Sequence, residues 1–255
     1  MAMHLRAACG CDTGKIRSNN EDNFYFNGRG MSLDNMGLEA VLSGNFSLNT
    51  EHCFGVFDGM GGEEFGEMAS FAAVDMLKRQ MEEMIPENGS PKAFLEVSCD
   101  AMNEVVCAES VKMVSGRMGT TAAILLFVPE QVYVCNLGDS RIYRLRNKTL
   151  SQISCDHVEK FPAGMQVKRK PRLTQYLGIF PDEMMIEPQI AVGEVRKDDI
   201  YLICSDGITD MLTDGEICRC LKAHRSPIQI VRHLIDQALA AGGKDNITAI
   251  VISVQ

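Results

Sequence analysis

Residues 120–146 read TTAAILLFVPEQVYVCNLGDSRIYRLR, and the way this stretch divides decides the fold. Thr120–Val128, Gln131–Leu137 and Arg141–Arg146 are strand-length apolar or alternating runs. Turn-forming Pro129-Glu130 and Gly138-Asp139 part them, which predicts an antiparallel meander. Upstream, Met3–Cys11 and Asn23–Phe26 read as strands around a turn-like GKIRSNNED, and residues 28–50, rich in Gly, Asn and Ser, as a surface loop. A short apolar strand, Cys53–Phe57, ends at DGMGG. Phe65, Met68, Ala72 and Met76 recur at helical spacing, as do Phe94, Val97, Ala101 and Val105, with Ser90-Pro91 opening the second helix. Downstream, residues 154–175 look irregular, Glu187–Val192 and Ile200–Cys204 are strands, Ile228–Ala241 is a helix, and Asn246–Val254 closes as an apolar strand. This order predicts an α+β fold with antiparallel sheets, not a parallel Rossmann arrangement. No repeat or Pro/Gly linker divides the chain, so residues 1–255 are expected to form a single domain.

Bulk properties narrow the function. The chain has 255 residues, 45% hydrophobic and 23% charged, with a formal net charge of -9. That acidic excess argues against nucleic acid or an anionic membrane as partner. MAMHLRAACGC lacks a secretory apolar region. The longest apolar run, Ala122–Val128, falls short of the ~20 residues that cross a bilayer. A cytoplasmic protein is expected. The ten cysteines have no disulfide framework and no Cys-x-x-Cys. Cys53, Cys135 and Cys204 lie in apolar runs, so reduced structural thiols are expected.

One local pattern recurs. Apolar strands abut an Asp flanked by Gly or Ser at Phe57-Asp58-Gly59, Gly138-Asp139-Ser140 and Ser205-Asp206-Gly207, and Gly243-Lys244-Asp245-Asn246 precedes the last strand. Singly, each is a good turn former. Four such carboxylates at strand ends can instead converge on one edge of a sandwich, where their repulsion calls for cations. Oxygen ligands of this kind suit Mg²⁺ or Mn²⁺.

At these residues the sequence resembles the metal-dependent protein phosphatases, the type 2C serine/threonine phosphatases. The matching motifs run in order: GKIRSNNED (14–22), FGVFDGMGG (54–62), GRMGTTA (116–122), NLGDSRIYRL (136–145), CDHV (155–158), LTQYLG (173–178), ICSDGITDML (203–212) and GGKDNITAIV (242–251). The resemblance implies a four-layer α/β/β/α sandwich of two antiparallel sheets flanked by helices, with metals in a cleft at one end. It implies that Asp58, the Gly59 carbonyl, Asp206 and Asp245 hold two Mn²⁺ or Mg²⁺ ions, with Asp58 bridging. Glu21 acts on one ion through water, and Asp139 with Asp206 holds a third, weaker one. Arg17 grips the substrate phosphate with its planar fork. Met60 stands where eukaryotic relatives carry a histidine, as in the bacterial branch, leaving protonation of the leaving oxygen to water. The implied activity is hydrolysis of phosphoserine and phosphothreonine in proteins by metal-activated water, opposing a bacterial serine/threonine kinase, by a monomer.

Two other readings compete with this one. Cys11-x-x-Gly14-x-x-Arg17-Ser18 fits the cysteine-phosphatase pattern, as does Cys135-x-x-Gly138-x-x-Arg141 without the final Ser. That chemistry needs a helix after the Arg to lower the thiol pKa, and strand-like Asn23–Phe26 follows instead. A non-catalytic relative would have lost metal ligands that are all present here. His157 reads as a turn or bracing histidine and Arg141 as a structural salt-bridge partner. Lys168, Arg169, Lys170 and Arg172 read as a solvated basic loop, in a segment shorter than the flap of typical bacterial relatives, with a docking strip for acidic partners as the alternative.

Overall fold

A strand as apolar as 122–128 must be covered on both faces, and in the computed structural model it is. The structure describes residues 3–61, 65–83, 90–113, 117–161, 169–223 and 225–255. Among them the chain order is β1 (His4–Asp12), β2 (Asp22–Phe26), β3 (Leu42–Ser47), β4 (His52–Gly61), α1 (Gly66–Glu83), α2 (Pro91–Lys112), β5 (Met118–Thr120), β6 (Ala122–Val128), β7 (Gln131–Leu137), β8 (Arg141–Arg146), β9 (Thr149–Gln152), β10 (Gln189–Glu194), β11 (Ile200–Cys204), α3 (Asp206–Thr209), α4 (Asp214–Ala223), α5 (Pro227–Ala240) and β12 (Ile247–Val254). One sheet runs β3-β1-β12-β11-β8-β9. The other runs β10-β7-β6-β4-β2, with β5 added to β4. Every pairing is antiparallel.

The side-chain period of two makes four layers out of these sheets. Ile250 and Ile252 of β12 point into the space between the sheets, against Phe54, Leu125, Phe127 and Tyr201. The alternate residues Ile247, Ala249 and Val251 face α4 and α5 on one outside. Ile124 and Leu126 of β6 face α1 and α2 on the other. All eight residues of β12 are buried for this reason. The α/β/β/α sandwich implied by the resemblance is the observed fold.

Several local expectations need correction. The meander over 120–146 holds only for its first hairpin. β6 pairs with β7, but β8 lies in the opposite sheet beside β11. Gly138-Asp139 is therefore a crossover between sheets. Gly138 sits at φ 102° with Thr121 so close that a Cβ would come within 2.6 Å of its side chain. The strand expected to stop at Phe57 continues to Gly61, changing partners from β6 to β5 as it passes Asp58 and Gly59. Within the expected loop 28–50, Leu42–Ser47 pairs with β1 as an edge strand whose weak β-formers hide it. β10 begins after Pro188, which has no N–H for a ladder. β9 returns from β8 through Asn147 and Lys148, both left-handed (φ 50° and 64°), a two-residue turn with no glycine to announce it. α4 was also missed, although Thr213 and Glu216 form a capping box at its start. Both predicted long helices form, but rotated by one position. Val97 is 60% exposed, and the face toward the sheet is Leu95, Cys99, Met102 and Val106, as Ala69, Ala73 and Leu77 are in α1.

The crossover geometry predicts that Gly138→Ala, which adds both left-handed strain and a clash with Thr121, destabilises the protein by about 2–4 kcal/mol. Urea unfolding at fixed metal concentration measures it.

Candidate metal centre

Ladder registers dictate where the acidic residues gather. In one sheet Asp12 lies opposite Ile247 and Cys204 opposite Ala249, so the end of β1, the end of β11 and the start of β12 share an edge. In the other, Asp22 lies opposite Asp58 and Leu137 opposite Ala122, which aligns the start of β2, the middle of β4 and the end of β7. These edges meet. The Ser205 hydroxyl, just past β11, donates to Asp22 Oδ2 at 2.7 Å, and the Thr248 hydroxyl of β12 donates to the same oxygen at 2.7 Å.

At this junction opens a cavity of about 340 Å³ lined by Arg17, Glu21, Asp58, Gly59, Asp139, Asp206 and Asp245, together with Met60, Thr121 and Lys170. The seven residues singled out from sequence all line it. Asp58 is set by two hydrogen bonds to Thr121 across the strand switch, one to its hydroxyl and one from its backbone. Its N–H donates to Thr121 Oγ1 (3.0 Å), and its carbonyl accepts from the Thr121 N–H (2.9 Å). Gly59 admits no side chain, since a Cβ would stand 2.0 Å from the Gly66 carbonyl oxygen. Gly207 is equally confined, its Cβ position 1.9 Å from the Asn246 carbonyl oxygen. Behind Asp139, the Gly138 carbonyl accepts from the His157 N–H (2.9 Å) and its N–H donates to His157 Nδ1 (3.4 Å). His157 thus braces the Asp139 turn. Arg141 forks onto Asp156 away from the cavity, as a structural pair.

The family model for protein phosphatase 2C matches residues 45–242. The serine/threonine phosphatase Stp of Listeria welshimeri is 32% identical over 94% of this chain and 92% of its own length. The chain belongs to the protein phosphatase 2C family. PstP of Mycobacterium tuberculosis is 30% identical over 98% of this chain but only 45% of its own length. The crystal structure of PstP superposes with a TM-score of 0.79 at 27% identity, covering 98% of each chain. The catalytic domain of PstP with two manganese ions superposes at 0.78, again at 27% identity and covering 99% of each chain. The family is metal-dependent, and the donor set here suits hard divalent ions.

The electrostatics of this phosphatase 2C cavity are those of crowded acids. Burial pushes the Asp58 carboxyl well above its usual range, and the charges of Asp206, Asp22, Asp139 and Asp245 push it further. Burial likewise raises Asp206, Asp139 and Glu21. Two cationic side chains are seated among them. Arg17 Nη2 donates to Asp245 Oδ2 at 2.9 Å, and Lys170 Nζ contacts Asp206. Among the described residues no three acidic, His or Cys side chains are drawn together tightly enough to hold an ion as they stand. The acids ring the cavity, and the ammonium and guanidinium occupy the ground between them.

Other residues of this junction carry no role in the sequence reading. Asn246 is nearly fully buried. It accepts from the Glu21 N–H (2.8 Å) and donates to the carbonyls of Thr13 and Asn19 (2.9 Å each), binding the Arg17 loop to the Asp245 turn. Asp22, next to Glu21, is buried at 1% exposure, and burial raises its pKa to about 7. Their places inside NNED and GKDN were the available signals. Lys170 gave none, because its place depends on a loop; Lys168 lies outside the described residues. The cysteine rival fares poorly: Cys11 is buried in a strand, its thiol pushed up to about 12 chiefly by burial. All ten cysteines are free, and only Cys155 is exposed.

A carboxyl whose pKa is higher folded than unfolded stabilises the fold while protonated and loses that contribution as pH rises. For Asp22 the window runs from its usual 3.8 to about 7. The melting temperature of chelator-stripped protein should therefore fall over this range. Asp22→Asn should flatten that slope in differential scanning fluorimetry; an unaltered slope removes Asp22 as its source.

Proposed function

We propose that this cavity hydrolyses phosphoserine and phosphothreonine in proteins. Asp58, the Gly59 carbonyl, Asp206 and Asp245 would hold two Mn²⁺ or Mg²⁺ ions. The observation that carries the reading is the convergence of these groups, from both sheets, on one cavity. Their fit to cations rests on chemistry: hard oxygen donors, buried and mutually repelling, with Arg17 and Lys170 already drawn onto them. Such ions, when bound, supply a water that is nucleophilic near neutral pH and neutralise the phosphoryl charge. Glu21 would act on one ion through water, and Asp139 with Asp206 would hold a third, weaker one.

Arg17 binds the substrate phosphate. Its side chain is 46% exposed and, among the described residues, pairs with Asp245 through Nη2, which leaves other guanidinium donors for a phosphoryl group. Met60 lines the cavity and has no proton to give, which leaves water to protonate the serine or threonine oxygen. We further assign residues 1–255 to one catalytic domain, cytoplasmic and monomeric, whose substrates are proteins phosphorylated by a bacterial serine/threonine kinase. Among the described residues no helix is long and apolar enough to cross a membrane.

Asp206→Asn should lower kcat about 10³-fold with the fold retained by circular dichroism, since it removes charge at a metal centre. Arg17→Ala should raise KM for a phosphothreonine peptide about tenfold. Chelation should abolish turnover while thiol alkylation spares it. Full activity of Asp206→Asn would remove that residue from the centre, an unchanged KM would remove Arg17 from the phosphate site, and loss on alkylation alone would restore the cysteine mechanism.

A further inference from the structure

Lys170 lines the cavity and has no part in the chemistry proposed above. Its ammonium contacts Asp206 Oδ2 and stands 3.5 Å from Asp139 Oδ2 and 3.2 Å from Asp210 Oδ2. The ammonium hydrogen-bonds Asp206 and Asp210 and stands at ion-pair distance from Asp139. The backbone is held where this can happen. Glu159 accepts from Arg169 Nη1 (2.7 Å) and from the Arg172 N–H (3.0 Å), and its own N–H donates to the Arg172 carbonyl (2.9 Å). Arg169 also lies over the Phe161 ring, 5.5 Å from its centroid. Residues on both sides of Lys170 are therefore clamped to one glutamate, with the lysine stem turned into the cavity between them. The basic run expected to be a solvated loop places one of its charges inside the site.

We propose that Lys170 is a tethered cation that competes with a divalent ion for the Asp139–Asp206 end of the centre. This rests on the metal reading above and adds a regulator to it. An ammonium and a divalent ion cannot both sit on the facing oxygens of Asp139 and Asp206. Binding of an ion there requires Lys170 to leave, and its side chain, 48% exposed, has solvent to move into. The ion's apparent affinity is scaled by the fraction of molecules in which the lysine has left the carboxylates. Among the described residues Lys170 contacts Asp139, Asp206 and Asp210, so an ion that uses Asp139 or Asp206 loses affinity and one that uses neither keeps it. Without metal, the same contacts offset carboxylate repulsion and steady the fold.

The test counts bound Mn²⁺ on metal-stripped full chain by loss of the free-ion electron paramagnetic resonance signal. The parent, Lys170→Met and Lys170→Arg are compared, with Lys170→Gln replacing the Met variant if that does not fold. The weakest class of bound Mn²⁺ should tighten about tenfold in Lys170→Met and stay as in the parent in Lys170→Arg. Metal-free Lys170→Met should also melt below the parent, and the two should melt together in saturating Mn²⁺. Tight Mn²⁺ binding with an identical weakest class in all proteins overturns the competition and leaves the metal centre standing. No Mn²⁺ binding by the parent overturns both.

Discussion

The structure turns on the place where two sheet edges are forced together. Ser205 and Thr248 of one sheet share Asp22 of the other, and that buried contact fixes how closely the edges approach. Asp58 lies directly opposite Asp22 in its ladder, and Asp206 directly follows Ser205. Once the edges meet, like charges are gathered in a partly dry space, where their repulsion is weakly screened. No packing term relieves that repulsion. Cations do, whether as bound metal or, in its absence, as Arg17 and Lys170.

Glycine makes the approach possible. At Gly59 and Gly207 the space of a Cβ is already taken by backbone carbonyl oxygen of another segment. These are close contacts between segments of the chain, not hinges. Gly138 differs: its positive φ redirects the backbone from one sheet to the other, and Thr121 fills the side where a Cβ would stand. Thr121 also accepts from the Asp58 N–H and pairs with the Ser140 hydroxyl. A single threonine thus ties the strand switch at Asp58 to the crossover at Asp139.

Much of this was legible in the sequence for physical reasons that can be named. Strands buried on both faces, such as Ile200–Cys204 and 247–254, read as unbroken apolar runs, and their bounds came out within a residue. The site aspartates were visible because strand-end carboxylates beside glycine are unusual in combination. Tertiary choices were not visible. Nothing local in GDSR says whether the next strand pairs with the last one or crosses to the other sheet, so the hairpin reading failed. Val97 misled because the face a helix presents is set by neighbours, and small buried residues such as Ala69 and Ala73 weigh little in a hydrophobic count. Asp22 and Asn246 went unread because their work is to hold backbone, which leaves no periodic trace. Lys170 was assigned to solvent, the default for a basic run, because the clamp formed by Glu159 is a long-range contact.

Everything proposed for this site requires that the divided carboxylates form one cage for paired divalent ions. Anomalous diffraction at the manganese edge from Mn²⁺-soaked crystals tests it without reference to activity. The account predicts two strong peaks about 3.5–4 Å apart between Asp58, Asp206 and Asp245. Peaks confined to other carboxylates, with none in that cavity, would contradict it.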